Sequence, residues 1–154
     1  MKDRNWIARH VPHQGTMCLL DGVLDWNASS VRCVSHAHRS VDNPLRARGR
    51  LAAVCGIEFA AQAMAVHGEL IAPALHVERR IGYLAAIRSA ELYVARLDDI
   101  ADELIVIADR QGGDTATVLY AFSLSAGDRR LLAGRATVVI NAAALGPRLR
   151  TVSP

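Results

Sequence analysis

The longest apolar run in the chain, Leu51 to Ile71, reads LAAVCGIEFAAQAMAVHGELI and carries Glu58 as its only charge before the final turn. Alanine, methionine, glutamine and leucine dominate it, and these are good helix formers. At ~1.5 Å per residue such a helix spans roughly 30 Å, about the width of a small domain. It is apolar on almost every face, which predicts burial all round rather than one wet side. A single sheet face covers only part of such a helix. Either the sheet curls around it or a second subunit closes the other side. A buried carboxylate costs several kcal/mol unless it is paired, protonated or used in chemistry. Cys55 lies one turn before Glu58 and Gln62 one turn after it, on the same face.

A length of 154 residues predicts a single domain spanning 1–154 with a sizeable core, and Ala142–Pro154 as a partly loose tail. The net charge of +3 is too weak, and the aromatic content of 5% too low, for a nucleic-acid binder without a recognition motif. Cys18, Cys33 and Cys55 are odd in number and lack CxxC spacing, which points to reduced thiols and a cytoplasmic protein. Lys2, Asp3, Arg4 and Arg9 interrupt the first ten residues, so no signal peptide is read there. Glu58, Gln62, His67, Gly68 and Glu69 punctuate the long helix, which argues against a membrane span.

Along the chain, Trp6–Val11 reads as a short helix or turn. Met17–Trp26 and Ser30–Ala37 read as strands joined by Asn27-Ala28-Ser29 into a hairpin. A loop from His38 to Arg50 leads to the helix, which Pro73 stops. Ile81–Val94 follows as an interrupted strand. Leu104–Arg110, Thr115–Ser125 and Leu131–Asn141 are joined at Gly112-Gly113-Asp114 and Gly127-Asp128, an antiparallel meander. One helix against an antiparallel sheet is α+β.

Three segments match a known pattern in order and spacing. Val11-Pro12-His13-Gln14-Gly15-Thr16-Met17-Cys18-Leu19-Leu20-Asp21-Gly22-Val23 resembles the LPHR-x-PFLLVDRV opening of β-hydroxyacyl-acyl-carrier-protein dehydratases. Glu58-Phe59-Ala60-Ala61-Gln62 is similar to the E-x-x-AQ of that family's central helix, and Ile81–Arg88 to the strand after it. The nearest likeness is to the dehydratase-like proteins of fatty-acid, polyketide and aryl-polyene synthesis. The resemblance implies a hot-dog fold, a curved antiparallel sheet wrapped around one helix, usually paired edge to edge as a dimer. It also implies removal of water from a 3-hydroxyacyl thioester. A histidine takes the α-proton, the helix acid protonates the departing hydroxyl, and a backbone N–H near the helix start polarises the thioester carbonyl.

Glu58 matches the helix acid. The family histidine sits in a G-H-F-P-G-like loop just before the helix, where this chain reads Val41-Asp42-Asn43-Pro44-Leu45. His13 is the candidate base, although in the family its counterpart belongs to a structural turn. The resemblance places Ala53, Cys55, Gln62, Asn43 and Pro44 around the substrate, with Gln62 as an orienting partner. Arg46, Arg48 and Arg50 are either a solvated run or a dock for an acidic carrier protein or a phosphopantetheine phosphate. His36 and His38 alternate on one predicted strand face, but no ligand-spaced acid or cysteine accompanies them, so no metal site is expected. No cofactor is expected beyond a substrate-borne phosphopantetheine arm. His67 reads as a capping or interface residue, and Cys55 as packing. The partner is then an acyl carrier protein or a coenzyme A thioester, with a homodimer or a hot-dog hetero-partner and neither nucleic acid nor membrane. Two alternatives stand beside the dehydratase: a thioesterase in which Glu58 activates water or attacks the thioester, and a non-catalytic subunit that pairs with an active dehydratase.

Overall fold

The computed structural model describes residues 1–11, 15–75, 82–114 and 116–139, with the side chain of Tyr83 excepted. His13, the first residue of the predicted Ile81 strand and the Ala142–Pro154 tail lie outside the described residues.

The chain opens with β1 (Lys2–Asp3) and α1 (Arg4–His10). Asp3 caps α1 by accepting the Trp6 N–H at 2.8 Å. β2 (Gly22–Trp26) and β3 (Ser30–Ser35) form the expected hairpin. Its turn is closed by the Asn27 N–H on Ser30 O at 2.8 Å, and Asn27 Oδ1 accepts the Ser29 N–H at 2.8 Å. The first strand is much shorter than Met17–Trp26. Gly15–Met17 is a 3₁₀ turn, and Cys18, Leu19 and Leu20 are fully buried without belonging to a strand. Burial, not pleating, explains their apolar character. β3 ends at Ser35, and His38 sits in a 3₁₀ turn (Ala37–Arg39), so His36 and His38 do not alternate on a strand.

The long helix α2 runs over Gly56–Ile71, five residues shorter at its start than the apolar run. Leu51–Ala52 pairs as a strand-like segment instead. Leu51 O accepts the Leu97 N–H at 2.8 Å, the Ala53 N–H donates to Ala95 O at 3.0 Å, and Ala52 bridges to Arg96. Asp98 fixes this corner by accepting the Leu51 N–H at 2.8 Å while Arg96 pairs with its carboxylate. A short apolar run reads the same whether it is buried as helix or as strand. One 3₁₀ turn, Ala53–Cys55, then leads into α2. Gly56 permits the close approach that follows, because a Cβ there would lie 2.4 Å from Leu132 Cδ2.

β4 (Tyr83–Leu92), β5 (Leu104–Gly113), β6 (Thr117–Ala126) and β7 (Arg129–Val139) complete one antiparallel sheet in the order β1-β2-β3-β5-β6-β7-β4. The β5–β6–β7 meander follows the predicted turns. α2 lies against β3, β5 and β6, and one core joins Phe59, Ala60, Ala63 and Val66 of the helix to Val31, Leu104, Val106 and Leu124 of the sheet.

Burial of α2 is not complete all round. Ile57, Glu58, Ala61, Ala65, Gly68 and Glu69 are half-buried and form a stripe along the side turned from the sheet. The sheet of one chain covers only the opposite face. Among the described residues no helix is long and apolar enough to cross a membrane.

Candidate active site

Glu58 projects from the third residue of α2 on this half-open stripe, so it is neither enclosed nor fully wet. Gln62, one turn on, is completely buried. Its Oε1 accepts the Leu19 N–H at 2.9 Å, and its Nε2 donates to Met17 O at 2.7 Å and to Glu58 Oε1 at 3.4 Å. The helix acid and the Met17–Leu19 segment are thus joined through one amide. Leu19 O in turn accepts from the Ser35 hydroxyl at 2.6 Å, which ties the same segment to the end of β3.

The loop before the helix is organised by Asn43. Its side chain donates to Ala37 O at 2.8 Å and accepts the Leu45 N–H at 2.9 Å, while Pro44 is exposed beside it. Both ends of the Asn43 amide are committed to the loop. Cys55 is half-buried at the N-cap of α2, with Sγ 3.8 Å from Leu45 O, so the loop and the helix start are neighbours. Ala53 is buried, and its N–H is spent on Ala95 O.

The three arginines divide. Arg46 is half-buried and donates to Gly49 O at 3.2 Å and His38 O at 3.3 Å, which makes it part of the loop's framework. Arg48 and Arg50 are exposed on a tight turn closed by Ala47 and Arg50, with Arg48 at φ +54° and Gly49 at φ +73°.

A second polar group, not foreseen as a unit, lies at the other end of the loop. Asp21 accepts from Arg4 Nη1 at 3.0 Å and from the backbone N–H of His36 at 2.7 Å, and pairs with His36 Nδ1 at 3.1 Å. His36 Nε2 lies 3.3 Å from Glu103. Arg4, Asp21 and His36 border a cleft of about 220 Å³ that Asn43 also lines. A lone acid, Asp21, directly after the apolar run Met17–Leu20 was the available sequence signal. Among the described residues no three histidine, cysteine, aspartate or glutamate side chains converge as metal ligands. His67 is fully buried, where Nδ1 lies 2.8 Å from the Tyr120 hydroxyl and Nε2 3.0 Å from Asn27 O, so it braces the helix against the β2–β3 turn.

A helix acid at the head of one long α-helix packed on a seven-stranded antiparallel sheet is the arrangement of a hot-dog protein. The fold is closely similar to that of the dehydratase heterocomplex ApeI:P from Xenorhabdus doucetiae, with a TM-score of 0.77 over 88% of this chain and 90% of that one at 21% identity. A mutant thioesterase from Pseudomonas aeruginosa matches at a TM-score of 0.55, with 15% identity over 77% of this chain and 79% of that one. A hypothetical thioesterase from Streptococcus pneumoniae solved with coenzyme A matches at 0.54, with 14% identity over 77% and 84%. The family model of ApeP-like dehydratases matches residues 6–145, and the chain belongs to that family. Comparison with curated proteins gave no match.

Proposed function

We propose that this chain works on acyl thioesters as a subunit of a 3-hydroxyacyl dehydratase, with Glu58 as its acid and the base supplied outside the Val41–Leu45 loop. What carries the reading is the family match over residues 6–145 together with a helix acid on the half-open stripe of α2. In the elimination a histidine removes the α-proton of the substrate. The electron pair forms the Cα–Cβ double bond, the Cβ–O bond breaks, and the Glu58 proton leaves with the hydroxyl as water. A second hot-dog chain carrying a loop histidine is the partner this arrangement calls for; His13 is the alternative source of the base, and enoyl product from the chain alone would favour it. The long exposed edge of β4 is the surface for such pairing, either with a second copy or with that partner. Exposed Arg48 and Arg50 give a carrier protein or a coenzyme A phosphate its electrostatic landing point. The three free cysteines fit a reducing, cytoplasmic setting.

A thioesterase is the second reading, favoured by the missing loop histidine, since a helix carboxylate can activate water without one. Mass spectrometry of 3-hydroxyacyl carrier-protein and coenzyme A thioesters separates the two by scoring loss of water against hydrolysis. The chain is assayed alone and mixed with a hot-dog protein that retains the loop histidine. Enoyl product that appears only in the mixture supports the two-chain dehydratase. Free acid from the chain alone supports the thioesterase. Glu58→Gln should lower turnover by roughly 10²–10⁴-fold with little change in melting temperature. Undiminished turnover in the folded variant removes Glu58 from the mechanism.

A further inference from the structure

Cross-strand pairing lines up two rows of side chains on the sheet face turned from α2. One row runs Ser30, Asp109, Ala121, Arg135, Ser89 over β3, β5, β6, β7 and β4. Two residues along each strand, the second runs Arg32, Ile107, Ser123, Ala133, Glu91. Directly opposed residues share a face. Their chain neighbours Val106, Ala108, Phe122, Leu124 and Ala136 are buried on the helix side, so both rows point outward. The centre is half-buried, with three short side chains, Ala121, Ser123 and Ala133, beside Ile107. Arg32, Asp109, Arg135 and Glu91 are exposed at its flanks.

Each row is its own complement about β6. In the first, acid on the β5 side answers base on the β7 side; in the second, base on β3 answers acid on β4. Strands lie about 4.8 Å apart, so the backbones of Asp109 and Arg135 stand roughly 10 Å apart, and those of Arg32 and Glu91 roughly 19 Å. Among the described residues neither pair closes as an ion pair within the chain. We propose that this face binds a second copy of the chain, sheet against sheet, about a two-fold axis running along β6. That rotation exchanges the flanks and keeps the rows. Asp109 then meets Arg135 of the second copy, Arg32 meets its Glu91, and each contact occurs twice. A two-fold axis across the strands would set Asp109 over Ile107 and leave the charges unmatched, so the pattern selects the first axis. Charges beside the rows follow the same polarity. Asp25, opposite Arg32, adds an acid on the β3 side, and Arg88, whose Nε donates to Thr137 Oγ1 at 3.2 Å, adds a base on the β7 side. The short central side chains let the two sheets approach to the ~10 Å of a sandwich. The contact uses neither the β4 edge nor the stripe of α2, so it joins edge-paired units and does not depend on what the chain catalyses.

The test uses the full chain carrying Leu84→Lys and Leu92→Lys, which block the β4 edge, in sedimentation runs at concentrations well above micromolar. This parent should still associate. Asp109→Arg and Arg135→Glu should each weaken the association by roughly tenfold or more, because each sets like charges together at both contacts. Mixed in equal amounts, the two variants should pair again. The new arginine of one then meets the new glutamate of the other, and the native pair survives at the second contact. Asp109→Arg also gives up the Ser30 hydroxyl, bound at 2.6 Å, but mixing cannot repair a loss of that kind. If Asp109→Arg fails to fold, Arg32→Glu and Glu91→Arg run the same test at the flanks. Variants that associate like their parent, or folded variants that stay apart when mixed, overturn the proposal. A parent that stays monomeric at every concentration overturns it too, as does one whose face takes up only an added hot-dog protein of different sequence.

Discussion

His38 and His67 are the buried titratable residues on which pH should act first. Burial is the main cause that holds each below the ordinary histidine value. His38 Nε2 donates to Ile100 O at 3.1 Å and Asp102 O at 3.0 Å, while Nδ1 has no hydrogen-bond partner among the described residues. A second ring proton would be buried unpaired. His67 donates from Nε2 to Asn27 O and accepts the Tyr120 hydroxyl at Nδ1, so its protonation would force that hydroxyl to turn. Below about pH 6.5 the unfolded chain takes up protons that the folded one resists. Stability is therefore full above that value and falls with acidification, at most about 1.4 kcal/mol per pH unit for each histidine. Asp98, held well below the usual carboxylate range by Arg96, and Asp114, lowered by the Ala116 and Thr117 N–H groups, lose their contributions only below about pH 4. The interval from pH 7.5 to 5.5 thus isolates the histidines. Urea midpoints across it should decline, and His38→Gln should flatten the decline. A level profile in the wild type would refute the assignment. The sequence reads His67 as a capping or interface residue, whereas its partners are Tyr120 and Asn27 of the same chain, and it sets Glu58 and Gln62 on one face. It could not find the His38 contacts, because Ile100 and Asp102 lie more than sixty residues away.

At the scale of elements, two glycines separate what packing demands from what the helix merely tolerates. Gly134 of β7 lies under β4, and a Cβ there would sit 2.3 Å from Ser89 O and 2.7 Å from the Phe122 ring. The first neighbour is backbone and cannot rotate away. Gly134→Ala should therefore cost about 1–3 kcal/mol by prising β4 from β7. Gly68 of α2 has nothing within 4 Å of a built Cβ, so Gly68→Ala should instead gain about 0.5–1 kcal/mol. Chemical denaturation of both variants checks the pair, and similar shifts of one sign would contradict it. The β5–β6–β7 meander was legible because Gly and Asp mark its turns between alternating strands. The start of α2 was not, because Leu51–Ala53 is held out of the helix by Ala95, Leu97 and Asp98, a non-local pairing that leaves no local trace. For the same reason Cys18–Leu20 read as strand: burial by a distant helix and burial in a sheet select the same residues.

Taken whole, the molecule is finished on one side and open on the other. The sheet ends at β1 with two residues, but at its other end β4 presents ten. From Leu84 to Leu92 only Ile87 is even half-buried, and Leu84, Leu92 and Tyr93 are 40%, 47% and 51% exposed. A long apolar edge with free backbone groups invites pairing with another chain. The half-buried stripe of α2 that carries Glu58 adds a second uncovered surface to the same chain. The dimer expected from the resemblance therefore has a specific place to form. At micromolar concentration, light scattering should report a homodimer, or a heterodimer once a hot-dog partner is added. Replacing Leu84 and Leu92 together by lysine sets like charges along the edge without touching the core. Affinity between chains should then fall at least tenfold, about 1.4 kcal/mol or more, while the monomer keeps its melting temperature. Product formation in the two-chain assay should fall in parallel, since the chain would lose the partner that brings the base. A double variant that remains dimeric and fully active would place the interface elsewhere than β4. A wild-type chain that stays monomeric alone and pairs only with a histidine-bearing partner would make this edge selective, and the homodimer would be the expectation to abandon.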